Sequence, residues 1–266
     1  MNNVYTLTAI ASMGTWFVTA LGAATVVLFK SPNRKIMNIM LGFASGVMIA
    51  ASFWSLLAPA IERAQTCSQI PAYITATAGF VTGALFMRYS DKAIVCIINR
   101  TANKLSSQNK LNRIIMLVLS VTIHNIPEGL AVGVAFGVLQ KGGYTPEALM
   151  GAITLATGIA LQNFPEGAAV SIPLRREGYS RKKAFLTGQA SGVVEPVAAM
   201  TGLLTVTKAE AILPFALSFA AGTMITVAVH ELIPECQQSR DKEPYLSTMG
   251  IITGFAVMMF LDVMLS

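Results

Sequence analysis

Charge is scarce in this chain: only 12% of its residues are Asp, Glu, Lys or Arg, against roughly 25% in soluble domains. Cysteine and histidine are scarcer still, three and two among 266 residues, and no cysteines stand in a CxxC spacing. These shortages exclude a soluble enzyme, a disulfide framework and a thiolate metal site. Long polar connections are also missing, apart from one Asn/Ser/Lys-rich stretch at about 99–112, expected to be a cytoplasmic loop. Apolar sequence fills the space instead: 54% of residues are hydrophobic and the mean hydropathy is +0.61.

Apolar runs near the ~20 residues a helix needs to cross a bilayer occur eight times. They cover Leu7 to Phe29, Ile36 to Ile61, Ile70 to Met87, Ile114 to Leu139, Ala148 to Leu174, Ala184 to Thr207, Ala211 to Ile233 and Tyr245 to Leu265. The runs are continuous, whereas strands of a membrane barrel alternate over about ten residues. The expected class is therefore all-α, a single polytopic domain spanning residues 1–266. The first run has no basic residue before it and exceeds a signal-peptide core, so it is read as a retained helix.

The net charge of +6 reflects topology, with no nucleic-acid partner implied. Lys30, Arg34 and Lys35 fall in loop one; Arg88, Lys92, Arg100, Lys104, Lys110 and Arg113 lie around loop three. Arg175, Arg176, Arg181, Lys182 and Lys183 lie around loop five, with Arg240 and Lys242 in loop seven. Even loops hold only Arg63, Lys141 and Lys208, so the positive-inside rule puts odd loops in the cytoplasm and both termini outside. On that topology Cys67 is outside, and Cys96 and Cys236 lie near the inner side.

The sequence repeats internally. Leu41 to Ile49 (LGFASGVMI) matches Leu217 to Ile225 (LSFAAGTMI) at six of nine positions, at an offset of 176, and each helix then reaches a proline, Pro59 and Pro234, with a one-residue slip. The two helices cross in opposite directions, which predicts an inverted repeat of spans one to three and six to eight around spans four and five. Inverted repeats with midplane sites are a transporter signature. A second pair lies between: His124-Asn125-Ile126-Pro127-Glu128-Gly129 in span four and Gln162-Asn163-Phe164-Pro165-Glu166-Gly167 in span five, at an offset of 38.

Glu128, Glu166 and Glu195 all fall inside spans, where an acid such as Asp costs about 2.5 to 3.5 kcal/mol even on insertion scales. Those spans hold no Lys or Arg, so the compensating charge must be a bound metal, or protons in its absence. His124 and Glu128 are i and i+4, as are Gln162 and Glu166, so each pair projects from one helix face toward a common ion. Asn125 and Asn163, one position on, point to a neighbouring position that Glu195 can join. Two metals about 3.5 to 4 Å apart, bridged by Glu128 and Glu166, fit this pattern. Pro127, Pro165, Pro196 and Pro234 free the carbonyls of Ile123, Leu161, Gly192 and His230, which are further candidate donors. Imidazole with carboxylate suits Zn²⁺ first, with Fe²⁺, Mn²⁺, Co²⁺ and Cd²⁺ also open.

These residues resemble the ZIP (Zrt-, Irt-like protein) metal transporters, in particular the bacterial GufA-type branch, with its HNxPEG and QNxPEG signatures. The resemblance spans essentially the whole chain. It implies uptake of Zn²⁺ and related ions into the cytoplasm across the plasma membrane, in a bacterium the inner membrane, with a dimer as the assembly. The ion is then substrate, with no separate cofactor and no enzymatic role. By position it assigns His124, Glu128, Gln162 and Glu166 to one site, and Asn125, Glu128, Asn163, Glu166 and Glu195 to the other. Two departures stand out: Gln162 replaces a histidine found in many members, which weakens that site for Zn²⁺, and the His-rich third loop is absent.

Further out, His230 and Glu231 are candidates for an exit-pathway metal stop. Glu62 is a candidate entrance residue and otherwise an ordinary exposed charge, and Asp262 is expected at the interface. The fourteen methionines sit at ordinary apolar positions. Gly42 and Gly46 have the spacing of close helix packing. Competing readings of the same ligands are an intramembrane metal-dependent enzyme and a metal-gated receptor. Proton coupling is a further expectation, since the carboxylates must bind something when the metal leaves.

Overall fold

The computed structural model describes residues 4–28, 34–67, 70–102, 109–141, 145–208, 210–237 and 244–265. Among the described residues there is no strand, and eight helical rods follow the expected spans. Span one is Val4–Leu28, span four Asn109–Lys141, span five Pro146–Arg176 and span eight Pro244–Leu265. Span two runs through Arg34–Ala51, a π-helical segment Ser52–Leu57 and Ala58–Cys67. Span seven is built alike: Leu213–Val227, a π-helical segment Ala228–Leu232, and Ile233–Gln237. Span six is Arg181–Ala190 and Val194–Lys208, joined by a turn at residues 191–193.

Span three, Ala72–Ala102, extends well beyond the expected end at Met87. No glycine or proline follows Gly83 in that stretch, so nothing stops the helix when its hydropathy falls. The helix takes in Arg88, Lys92 and Arg100. With span four starting at Asn109, much of the polar stretch at 99–112 is helical, and residues 103–108 lie outside the described ones. Among the described residues, six rods are long and apolar enough to cross a membrane by composition. Spans three and five, at 31 residues each, reach about 46 Å at 1.5 Å per residue. Phe17, Tyr73, Val197, Phe260 and Val263 are 61 to 73% exposed, an apolar exterior suited to hydrocarbon. This is a multi-pass membrane protein.

The internal repeat is visible atom by atom in the helix contacts. A Cβ on Gly46 would strike the Ile251 carbonyl, and one on Gly222 the Phe80 carbonyl. A Cβ on Gly83 would strike the Phe219 carbonyl, and one on Gly254 the Phe43 carbonyl. Offsets of 176 for spans one and two and 171 for span three carry each contact onto its counterpart. The π-helical segments also begin 176 residues apart, at Ser52 and Ala228. The first has six residues and the second five, which produces the one-residue slip before Pro59 and Pro234. Equivalent spans are five apart in an alternating series, so the repeat is inverted.

The repeats do not form two separate bodies. Span one packs on five and four on six, while span two packs on eight and three on seven. Spans one, four, five and six therefore make one group and spans two, three, seven and eight another. Small residues explain the interleaving, because the closest backbone approaches fall at glycines of one repeat against carbonyls of the other or of spans four and five.

Candidate metal-ion site

The two hexapeptides lie at the centre of the first group. Their i, i+4 spacing presents His124 and Glu128 from span four and Gln162 and Glu166 from span five. Asn125, Asn163 and Glu195 join them, and all seven side chains are buried, none more than 5% exposed. Pro127 and Pro165 sit within uninterrupted helices. The glycine that closes each hexapeptide has a packing reason. A Cβ on Gly129 would strike the Glu195 carbonyl, and one on Gly167 the Thr19 carbonyl, so glycine lets spans six and one press against the site.

The amides divide the carboxylates between them. Gln162 Nε2 donates to Glu128 Oε1 at 2.6 Å, and Asn163 Nδ2 donates to Glu195 Oε2 at 2.8 Å. Asn125 Nδ2 donates to the Ser191 carbonyl at 3.0 Å, and Asn163 Nδ2 also approaches the Thr15 carbonyl at 3.4 Å. Those last two contacts are images of each other under the repeat. Glu166 lies within electrostatic reach of Glu195, His124 and Glu231, and Glu128 within reach of Glu166 and Glu195.

Acceptors outnumber donors. Buried oxygens without a hydrogen-bond partner include Asn125 Oδ1, Glu128 Oε2, Gln162 Oε1, Asn163 Oδ1 and both carboxylate oxygens of Glu166. Leaving such a group unsatisfied costs about 1 to 3 kcal/mol, more when charged. A concentration of oxygen acceptors with no Lys or Arg among them has the chemistry that would suit a cation. Among the described residues, no three His, Cys, Asp or Glu side chains by themselves converge tightly enough to cage an ion. The carboxamides of Asn125, Gln162 and Asn163 leave oxygens without partners beside the carboxylates and are available as further donors.

Outer candidates are distributed differently from the sequence expectation. Glu231 is half-buried and His124 Nε2 lies 2.6 Å from its Oε1, so this residue of span seven meets the central histidine. His230, one position earlier, is exposed and is not brought to the same place. Glu62 is exposed on the last segment of span two, apart from the cluster. Asp262, expected at the interface, is 9% exposed and accepts from Ser55 Oγ at 2.7 Å, because the π-helical turn of span two carries that serine against span eight. The Gly192 carbonyl is not free: the turn before Pro196 gives it the Glu195 N–H at 3.0 Å. Cys96 and Cys236 are free thiols.

Sequence reasoning missed the contribution of span one. Thr19 Oγ1 lies 3.3 Å from Glu195 Oε1. The signal was present, since Thr19 is the repeat image of Glu195 at the offset of 176.

Comparison with known proteins identifies a family. The family model described as "ZIP Zinc transporter" matches residues 100–262. The chain is 38% identical to zinc transporter ZIP11 of Xenopus tropicalis, with 94% of each chain covered. It is 33% identical to zinc transporter GufA of Myxococcus xanthus, covering 96% of this chain and 98% of that one. It is 35% identical to zinc transporter ZIPB of Bordetella bronchiseptica, covering 92% and 76% respectively.

Proposed function

The chain belongs to the ZIP zinc transporter family, and we propose that it carries Zn²⁺ into the cytoplasm through the buried cluster of His124, Asn125, Glu128, Gln162, Asn163, Glu166 and Glu195. Transport of a divalent metal ion, not catalysis, is the activity of this family.

The observation that carries the reading is the surplus of buried oxygen acceptors around Glu128 and Glu166. A divalent ion entering there replaces its water with carboxylate and carboxamide oxygens and the His124 imidazole. Glu128 and Glu166, one from each half of the pseudo-symmetric pair, are placed to bridge two ions. The mixture of nitrogen and oxygen donors favours Zn²⁺, and the carboxamides admit Fe²⁺, Mn²⁺, Co²⁺ and Cd²⁺. His124 and Glu231 are in contact across the boundary between the group of spans one, four, five and six and that of spans two, three, seven and eight. We place the protein in the plasma membrane with both termini outside.

The test is metal uptake into proteoliposomes holding the purified full chain in a known orientation. Zn²⁺ entering from the face that carries the even loops, and competed by Cd²⁺, supports the reading. Tight binding of Zn²⁺ with no flux of any of the five ions would end it.

A further inference from the structure

The inverted repeat has a consequence for the site. Under it, Asn125 and Asn163 exchange, and their contacts exchange with them: Asn125 to the Ser191 carbonyl, Asn163 to the Thr15 carbonyl. Glu128 exchanges with Glu166. Thr19 and Glu195 exchange too, and they touch, Oγ1 to Oε1 at 3.3 Å, so the pair sits where the halves meet. The symmetry of the donor set is broken here: one repeat supplies a carboxylate and the other a hydroxyl.

Chemically the pair is complementary. Glu195 is fully buried, and its Oε2 takes the Asn163 amide at 2.8 Å. Thr19 is also fully buried, and its hydroxyl faces Oε1 at 3.3 Å. A second carboxylate at position 19 would place like charges in contact, whereas a hydroxyl fixes the orientation of the first. Thr19 Oγ1 also lies 3.3 Å from the Thr15 carbonyl, the ordinary contact of a helical threonine with the preceding turn. Losing the hydroxyl therefore leaves the helix its own backbone bonds. Space is limited around the pair, because a Cβ on Gly192 would approach Glu195 Oε1 at 2.9 Å and Thr19 Oγ1 at 3.1 Å.

We propose that Thr19 is a positioning residue of the transport site: its hydroxyl holds the Glu195 carboxylate in the orientation that offers it, beside Asn163 and Asn125, to a divalent cation. The inference rests on the transport reading and names a part of that site contributed by span one. Outer-shell hydrogen bonds to metal ligands are worth about 10 to 100-fold in affinity, and this bond is placed to act in that way.

The experiment measures Zn²⁺ uptake by proteoliposomes, with Zn²⁺ binding to the detergent-solubilised full chain read alongside. Thr19→Val should raise both KM and Kd about tenfold while the maximal rate stays within about twofold, and Thr19→Ser should restore both. In a Glu195→Ala background, Thr19→Val should change neither constant further, a result that general loosening of the helix packing would not give. Wild-type constants in Thr19→Val, no rescue by Thr19→Ser, or an undiminished effect without Glu195 would each overturn the proposal. Should Thr19→Val aggregate, Thr19→Ala is judged by the same comparisons. A wild-type protein without flux, but with a Thr19-dependent Kd, would overturn transport and leave the role of Thr19 standing.

Discussion

His124 Nε2 lies 2.6 Å from Glu231 Oε1, so the histidine of the span-four hexapeptide is tied to span seven, outside its own helix group. If an ion takes this same nitrogen, ion binding at His124 and the contact with Glu231 compete; if it takes Nδ1, Glu231 supports the ligand instead.

Glu231→Ala removes the competitor. A pair with one partly exposed member contributes about 1 kcal/mol, so under competition the Kd for Zn²⁺ should fall about fivefold while turnover slows, because His124 releases its ion with no partner waiting. Calorimetric titration together with uptake kinetics checks this, and weaker binding in the variant would count against competition.

Gln162→His exchanges a carboxamide for an imidazole. Nitrogen is the better donor for Zn²⁺ and the poorer for Mn²⁺. Competition uptake should show Zn²⁺ preferred over Mn²⁺ by about tenfold more than in the wild type; an unchanged ratio would remove Gln162 from the donor set.

Much of this was legible in the residues. Buried acids without basic partners, repeated at i, i+4 spacing with histidine and glutamine, pointed to an ion, and the match between LGFASGVMI and LSFAAGTMI pointed to the repeat. Other features were hidden by local geometry. A π-helical segment inserts an extra residue per turn, so the side-chain directions at Ser55 and Glu231 depart from the 3.6-residue pattern, and their contacts with Asp262 and His124 could not be placed from sequence. Thr19 does not stand out in the sequence, because a threonine in an apolar helix ordinarily bonds its own preceding turn. The length of span three was underestimated because hydropathy, not helix-forming tendency, marked its end.

The glycine contacts supply a stability prediction independent of metal. Gly46→Ala and Gly222→Ala each drive a Cβ into a facing backbone carbonyl, of Ile251 and Phe80 respectively, and should destabilise the protein by about 1 to 3 kcal/mol. Gly14→Ala and Gly151→Ala meet nothing within 4 Å and should raise stability by about 0.5 to 1 kcal/mol. Thermal unfolding in one detergent compares all four. Similar losses at Gly46 and Gly222, related by the repeat, are the expected mark of its symmetry.

The most direct measurement is Zn²⁺ influx into dye-loaded proteoliposomes for the wild type, Glu128→Gln, Glu166→Gln and the double variant, with folding checked by size-exclusion chromatography. The glutamines keep size and hydrogen bonding while removing the charge. Influx should fall at least tenfold in each single variant and to the protein-free background in the double variant. Wild-type influx in the double variant would contradict the central claim that these buried carboxylates carry the ion.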